Sequence, residues 1–78
     1  MNIHVKYFGM IVEAIQCTSE QITLNQPLPV NLKIFFENKY PQLKAMDYKI
    51  AINQQIKHTI TQQLQSVEVA LLPPFAGG

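Results

Sequence analysis

A single helical segment enclosed by two prolines constrains the fold more than any other feature of the chain. Its apolar side chains recur at i, i+3, i+4 and i+8, the spacing of one helix face; they are Leu32, Phe35, Phe36 and Tyr40. Proline is tolerated at a helix start and excluded from a helix interior. Pro29 and Pro41 therefore predict one main helix over residues 30–40.

The segments on either side of this helix have the period-two alternation of strands. Apolar and polar residues alternate over residues 3–8, 20–25, 48–52 and 66–72, with β-branched and aromatic residues frequent among them. Gly9 breaks the first of these strands, and a short helix is predicted over residues 10–16 with one apolar face formed by Met10, Ala14, Ile11 and Ile15. A short or bulged strand is predicted over residues 56–60. This order of elements predicts an α+β domain in which the main helix covers one face of a mixed sheet.

The other face of such a sheet is left uncovered. If the first and last strands are both central, an apolar patch forms on that face, and its members are Phe8, Ala70, Leu72 and Phe75. A patch of this kind on a small domain usually marks a partner surface. The alternative is that these side chains only close the edge of the core.

Composition limits the function classes. With 78 residues the chain forms one domain, which we assign to residues 1–72. Its net charge is +1 and its six basic residues are scattered lysines, which argues against nucleic-acid binding. No apolar run is long enough to cross a bilayer, no secretory signal is visible, and one cysteine, Cys17, suits a reducing compartment. We therefore expect a cytoplasmic protein without a membrane partner.

Residues 73–78 form a second segment, which we expect to be a flexible tail. It begins with Pro73 and Pro74, which fix φ near −65° and cannot continue a sheet ladder because they lack an N–H. It ends in Gly77 and Gly78, whose lack of a Cβ lets a backbone pass through a slot too narrow for side chains. A stiff approach followed by a bare carboxylate suits delivery of a reactive end to another protein. The plain alternative is a disordered tail without a role.

Several of these motifs together resemble one known family over the whole chain. They are Tyr7-Phe8-Gly9, Glu13-Ala14, Tyr40-Pro41-Gln42-Leu43, Ala51-Ile52-Asn53-Gln54, and the run from Val67 to Gly78 with its Pro-Pro-x-x-Gly-Gly ending. The chain resembles the small subunit of molybdopterin synthase, the MoaD branch of the ubiquitin-like sulfur carriers. The resemblance implies the β-grasp fold, in agreement with the order of elements predicted above.

The resemblance also implies a chemistry for the tail. Gly78 would be the covalent carrier, adenylated by a ubiquitin-activating-type adenylyltransferase and converted by a sulfur donor to a thiocarboxylate. Gly77 would provide clearance, while Pro73, Pro74, Phe75 and Ala76 would aim the tail. The sulfur would pass to cyclic pyranopterin monophosphate in the large synthase subunit, in an assembly of two small and two large subunits. The chain would thus be a non-catalytic sulfur-donor subunit that binds no cofactor, since the ATP is used by the activating enzyme.

The remaining side chains predict no competing site. Leu72, Phe75 and Phe8 are the candidates for docking to the large subunit. His4 and His58 lack the spacing of metal ligands, and we expect no bound metal. Two related roles share the implied fold and ending: sulfur supply for the thiamin thiazole, and modification of lysines by a Gly-Gly protein modifier. The paired prolines favour the molybdopterin branch, and an interaction module with an inert tail is a third possibility.

Overall fold

The computed structural model describes residues 1–74. In chain order its elements are β1 (Asn2–Tyr7), α1 (Met10–Ile15), β2 (Ser19–Thr23), β3 (Val30–Asn31), α2 (Leu32–Lys39), a 3₁₀ helix (Pro41–Ala45), β4 (Lys49–Ile52), β5 (Gln55–Ile56), β6 (Thr59–Ile60) and β7 (Ser66–Leu72). The predicted strands near both ends, the short helix and the main helix are all present.

Five strands form one mixed sheet in the order β2-β1-β7-β4-β5. The two strands nearest the chain ends, β1 and β7, lie side by side and run parallel, with Ile3 opposite Val67 and Tyr7 opposite Leu71. The other pairs in this sheet are antiparallel, and β3 and β6 form a separate two-stranded ladder. The first and last strands are therefore both central, which is the condition under which an apolar patch was expected on the uncovered face.

The core lies between one face of the sheet and the helices. Inward side chains alternate along the central strands, so that Val5 and Leu71 are both fully buried. From α2 the core receives Leu32 and Phe36, each 0% exposed, and Phe35 packs at its margin. The Asn31 side chain caps α2 by accepting a hydrogen bond from the Ile34 amide at 3.2 Å. The predicted arrangement, one main helix on one face of a mixed sheet, is confirmed.

Three local details differ from the predicted order of elements. The main helix begins at Leu32 rather than at residue 30, because Val30 pairs with Ile60 in the small ladder. The main helix ends at Lys39, before Pro41 as predicted, but a separate 3₁₀ helix that was not predicted begins at Pro41 and buries Leu43. Residues 56–60 divide between β5 and β6, which pair with different strands.

The short helix α1 also differs in the side it buries. Its phase was expected to place Met10 inward, whereas Met10 is 72% exposed and Ile11 is 1% exposed. A helix of six residues contains fewer than two turns, so the apolar spacing alone does not define its buried side.

On the helix side of the sheet, two tyrosines connect strands β1 and β2 with the end of α2. The hydroxyls of Tyr7 and Tyr40 both donate to Oε1 of Glu20, at 2.5 and 2.6 Å. Burial, together with hydrogen bonding to this carboxylate, raises the pKa of Tyr7 and raises the pKa of Tyr40 to about 12. Both phenols are therefore neutral donors at physiological pH and stabilise the contact between β1, β2 and the end of α2.

Candidate docking face and exit of the carboxyl-terminal segment

The uncovered face of the sheet is built from the residues that alternate with the core positions. Its middle row runs across four strands, because Lys6 pairs with Ala70, Ala70 with Ala51, and Ala51 with Ile56. Partners in register point to the same face of a sheet. The row therefore presents two alanines between the longer side chains of Lys6 and Ile56, and the face is low at its centre.

Large apolar side chains are exposed beside these alanines. Ile56, at the end of the row, is 63% exposed, and Phe8, nearer the end of the face where β7 finishes, is 42% exposed, while Ala51 is 8% exposed. The Phe8 amide donates to the Leu71 carbonyl at 3.2 Å, which extends the parallel ladder past β1 and brings Phe8 level with Leu72. Large exposed apolar side chains grouped around small ones are typical of a surface that another protein covers.

Two lysines border the apolar area. Lys6 lies in register with Ala70 on one side, and Lys49 lies in register with Leu72 on the other; both lysines are exposed. An apolar centre with a positive margin favours a partner that presents apolar side chains bordered by carboxylates.

The opposite end of the same face is polar. His4 lies in register with Glu68, and its Nδ1 is 3.4 Å from Oε2 of that residue. The Glu68 amide donates to Oδ1 of Asn53 at 2.9 Å, so the backbone of this row is also held across β4 and β7. The face is thus divided into a polar half and an apolar half, and the chain leaves the sheet from the apolar half.

The exit itself is marked by a close approach between Gly9 and Pro73. A Cβ placed on Gly9 would lie 2.8 Å from Cγ of Pro73, closer than carbon atoms approach without overlap. Gly9 has φ 61° and ψ −137°, a conformation open to glycine and unfavourable for L residues. The turn after β1 therefore touches the chain where it leaves β7.

The predicted site residues are only partly within the described residues. Phe8 is exposed and Leu72, Pro73 and Pro74 are half-buried, and all four lie at the apolar end of the face. Phe75, Ala76, Gly77 and Gly78 lie outside the described residues, so the prediction for the carrier atom and for the tail stays a prediction.

Several contributors to this end of the face were not predicted from the sequence. Ala51, Ile56 and the two bordering lysines join it through cross-strand register, which a single strand does not reveal. Gly9 was interpreted as a strand breaker, and its positive φ agrees with that role. Its contact with Pro73 had no sequence signal, because the two residues lie near opposite ends of the chain.

The described residues contain few other groups that suggest chemistry. Within residues 1–74 the His, Cys, Asp and Glu side chains do not gather in groups of three that could hold a metal ion. Neither helix there has the length and apolarity that a membrane-spanning helix requires. Cys17 is half-buried, with its thiol donating to the Ser19 carbonyl at 2.9 Å.

Comparisons with solved structures find proteins of similar fold. No protein-family model matches the sequence. The chain is similar to a putative molybdopterin converting factor subunit 1 from Pyrococcus furiosus, with a TM-score of 0.73, 19% identity, and coverage of 94% of this chain and 97% of that one. It is similar to SAMP1 from Haloferax volcanii, with a TM-score of 0.70, 14% identity and full coverage of both chains.

A third similar structure is a complex. It is the protein–protein complex of subunits 1 and 2 of molybdopterin-converting factor from Helicobacter pylori, matched with a TM-score of 0.63, 25% identity and full coverage of both chains. These similarities confirm that the chain has the ubiquitin-like β-grasp fold. They also confirm, at the level of fold, the resemblance to the MoaD-type proteins noted from the sequence motifs.

Proposed function

We propose that this chain is the sulfur carrier subunit of a molybdopterin synthase and that its reactive atom is the carboxyl carbon of Gly78. The observation that carries the proposal is the exit of β7 through Pro73 and Pro74 at the apolar end of an uncovered sheet face. A β-grasp chain that ends in Gly-Gly directly beyond such a face can dock on a partner and extend its last residues into that partner's active site.

The proposed chemistry begins with activation, because a carboxylate is a poor electrophile at neutral pH. The carboxylate oxygen of Gly78 attacks the α-phosphate of ATP in the activating enzyme, and pyrophosphate leaves. A sulfur nucleophile attacks the acyl carbon, forms the C–S bond and displaces AMP. Sulfide gives the thiocarboxylate directly, whereas an enzyme persulfide gives an acyl disulfide, which a thiol then cleaves by forming a disulfide with the enzyme's sulfur. The product is a thiocarboxylate. The ATP consumed in this step leads us to propose the cytoplasm as the compartment.

The second stage is transfer of sulfur to cyclic pyranopterin monophosphate in the large subunit. The thiocarboxylate sulfur attacks a side-chain carbon of the pterin and a C–O bond at that carbon breaks, so that the oxygen leaves in water or stays on the phosphate. Water then cleaves the acyl–sulfur bond, which leaves the sulfur on the pterin and returns Gly78 as a carboxylate. Two such transfers are needed for one dithiolene. Gly77 has no side chain to obstruct the approach, and Phe75 and Ala76 with the two prolines direct it.

The proposed partner is the large synthase subunit, docked on the apolar end of the uncovered face. Phe8 and Leu72 contribute its apolar contacts and Lys6 and Lys49 its margin. The similarity to a structure described as a complex of subunits 1 and 2 of molybdopterin-converting factor supports a partner of this kind. We propose two small and two large subunits for the assembly.

Intact mass spectrometry tests the first stage. The chain is incubated with the activating enzyme, ATP and a sulfide source, and the expected product is heavier by the exchange of one oxygen for sulfur. Deletion of Gly78 should abolish this change without altering the fold. Gly77→Val should slow it, because a β-branched side chain restricts the backbone and fills the slot. A wild-type chain whose mass does not change would refute the proposal.

A second candidate function is protein modification through the same carboxyl group. The similarity to SAMP1, a small archaeal modifier protein, over the full length of both chains favours this function. Both functions share the adenylate and differ in the group that attacks it, a sulfur donor or a lysine amine. Incubation with ATP and a cell extract distinguishes them, since a modifier would appear in covalent conjugates that resist thiol reagents.

A further inference from the structure

The point at which the chain leaves the sheet carries an inference that deepens the proposed function. Pairing with β1 holds β7 as far as Leu71, and pairing with β4 holds it as far as Leu72. Pro73 has no N–H, so the ladder cannot hold the chain beyond that residue. Some other contact must therefore decide the direction in which residues 73 and 74 continue.

Gly9 provides that contact. Its α-carbon lies against the Pro73 ring so closely that a Cβ would be 2.8 Å from Cγ, 3.8 Å from Cδ and 3.9 Å from Cβ of the proline. The ring thus packs into the space that the missing side chain leaves. Because the φ of Pro73 is restricted by its ring, the position of the ring also constrains the path of Pro74.

The turn that contains Gly9 is held firmly in place. On its strand side the Phe8 amide donates to the Leu71 carbonyl at 3.2 Å, and on its helix side the Val12 amide donates to the Gly9 carbonyl at 3.1 Å. Ile11, the next buried residue, is 1% exposed. A side chain added to Gly9 would therefore displace Pro73 more readily than the turn.

We propose that Gly9 is a positioning residue, whose bare α-carbon seats the Pro73 ring and so sets the direction in which the carboxyl-terminal segment leaves the sheet. This inference rests on the proposed function, because the direction of the segment matters only if its carboxyl end reacts in another protein. Gly9 takes no part in the bond-making steps proposed above. Its effect is on how often the carboxyl end of a docked chain reaches the partner's active site.

The test uses the full chain in four forms: wild type, Gly9→Ala, Pro73→Ala and the double variant. For each, kcat/KM for thiocarboxylate formation is measured with the activating enzyme, at a temperature where circular dichroism shows the chain folded. Gly9→Ala should lower kcat/KM about tenfold or more. In the Pro73→Ala background it should change kcat/KM less than twofold, because the ring it would displace is already gone.

Gln16→Ala is the matched control, at the opposite end of α1 in another left-handed position, φ 63°. It should leave kcat/KM within twofold of wild type. If Gly9→Ala lowers kcat/KM equally in the wild-type chain and in the Pro73→Ala chain, backbone strain alone is responsible. That result would contradict the proposed packing of the Pro73 ring on Gly9. If Gly9→Ala does not fold, Pro73→Ala by itself decides, since an unchanged kcat/KM would overturn the proposal.

A second readout does not depend on sulfur chemistry. In the wild-type chain, nuclear Overhauser effects should connect the α protons of Gly9 with the ring protons of Pro73. Their absence would contradict the packing of the Pro73 ring on Gly9, whatever the kinetic result. If these Overhauser effects are present and the wild-type chain gains no sulfur, the proposed function fails, and the positioning role fails with it. If wild type and Gly9→Ala gain sulfur equally, only the positioning role is contradicted.

Discussion

Truncation of Phe36 to alanine should remove a large share of the stability of this domain. The Phe36 ring is 0% exposed and makes edge-on contacts with Tyr7, at 6.4 Å between ring centroids, and with Phe35, at 5.2 Å. Loss of a fully buried phenylalanine costs about 3–5 kcal/mol in free energy of unfolding. The lost edge-on contacts, each worth about 0.5–1.5 kcal/mol beyond burial, place the expected cost in the upper half of that range.

This cost is large beside the total stability of so small a chain. At about 0.05–0.15 kcal/mol per residue, 78 residues give a free energy of unfolding of about 4–12 kcal/mol. With an m value of about 1 kcal/mol/M in urea, the unfolding midpoint of Phe36→Ala should fall by about 3 M or more. Phe36→Leu keeps most of the apolar volume, and a cost of about 1–2 kcal/mol makes it measurable if the alanine variant is unfolded without urea.

The two preceding residues of α2 provide matched controls. Ile34 is 58% exposed, and Ile34→Ala should change the free energy of unfolding by about 0.5 kcal/mol or less. Phe35 is half-buried and its truncation should fall between the two. Equal midpoints for Phe36→Ala and Ile34→Ala would refute the assignment of the buried side of the helix.

Two further predictions concern docking and pH. Leu72→Ala should weaken binding to the large subunit about tenfold or more, as for an apolar anchor worth about 2 kcal/mol. His4→Ala, at the polar end of the face, should leave the affinity measured by calorimetry within about twofold. Equal losses of affinity in the two variants would show that the apolar end is not part of the interface. Because the pKa of Tyr40 in the folded chain is raised to about 12, its contribution to stability is complete below the unfolded value of about 10 and is lost as the pH rises through about 12. The urea midpoint of Tyr40→Phe should therefore fall less than that of wild type over this range, and parallel curves would contradict the role of Tyr40.

The elements that carry the fold could be predicted because burial leaves a local pattern in them. Leu32 and Phe36 recur at the helical spacing and are both in the core. Along β7, Val67, Val69 and Leu71 are buried, while Glu68 and Ala70 between them face outward, as the alternation predicted. The central place of β1 and β7 was only the condition under which the uncovered patch was expected, because the apolar pattern along one strand does not give the order of strands in a sheet.

The elements that were mispredicted depend on contacts between distant residues. Val30 looks like a helix residue in its local context, and only its pairing with Ile60 makes it part of a strand. In the candidate site, Leu72 and Phe8 could be found by alternation along their own strands. Ala51 and Gly9 could not, because their roles arise from neighbours on β7 and from Pro73.

The most direct test of the proposed function follows the sulfur atom into the pterin. The thiocarboxylated chain is mixed in a single turnover with the large subunit and cyclic pyranopterin monophosphate, without the activating enzyme. We predict that the chain returns to its carboxylate mass at the rate at which the dithiolene forms, with two chains consumed for each molybdopterin. Dithiolene formation with a chain that lacks Gly78, or loss of the sulfur by hydrolysis without product, would contradict the proposal.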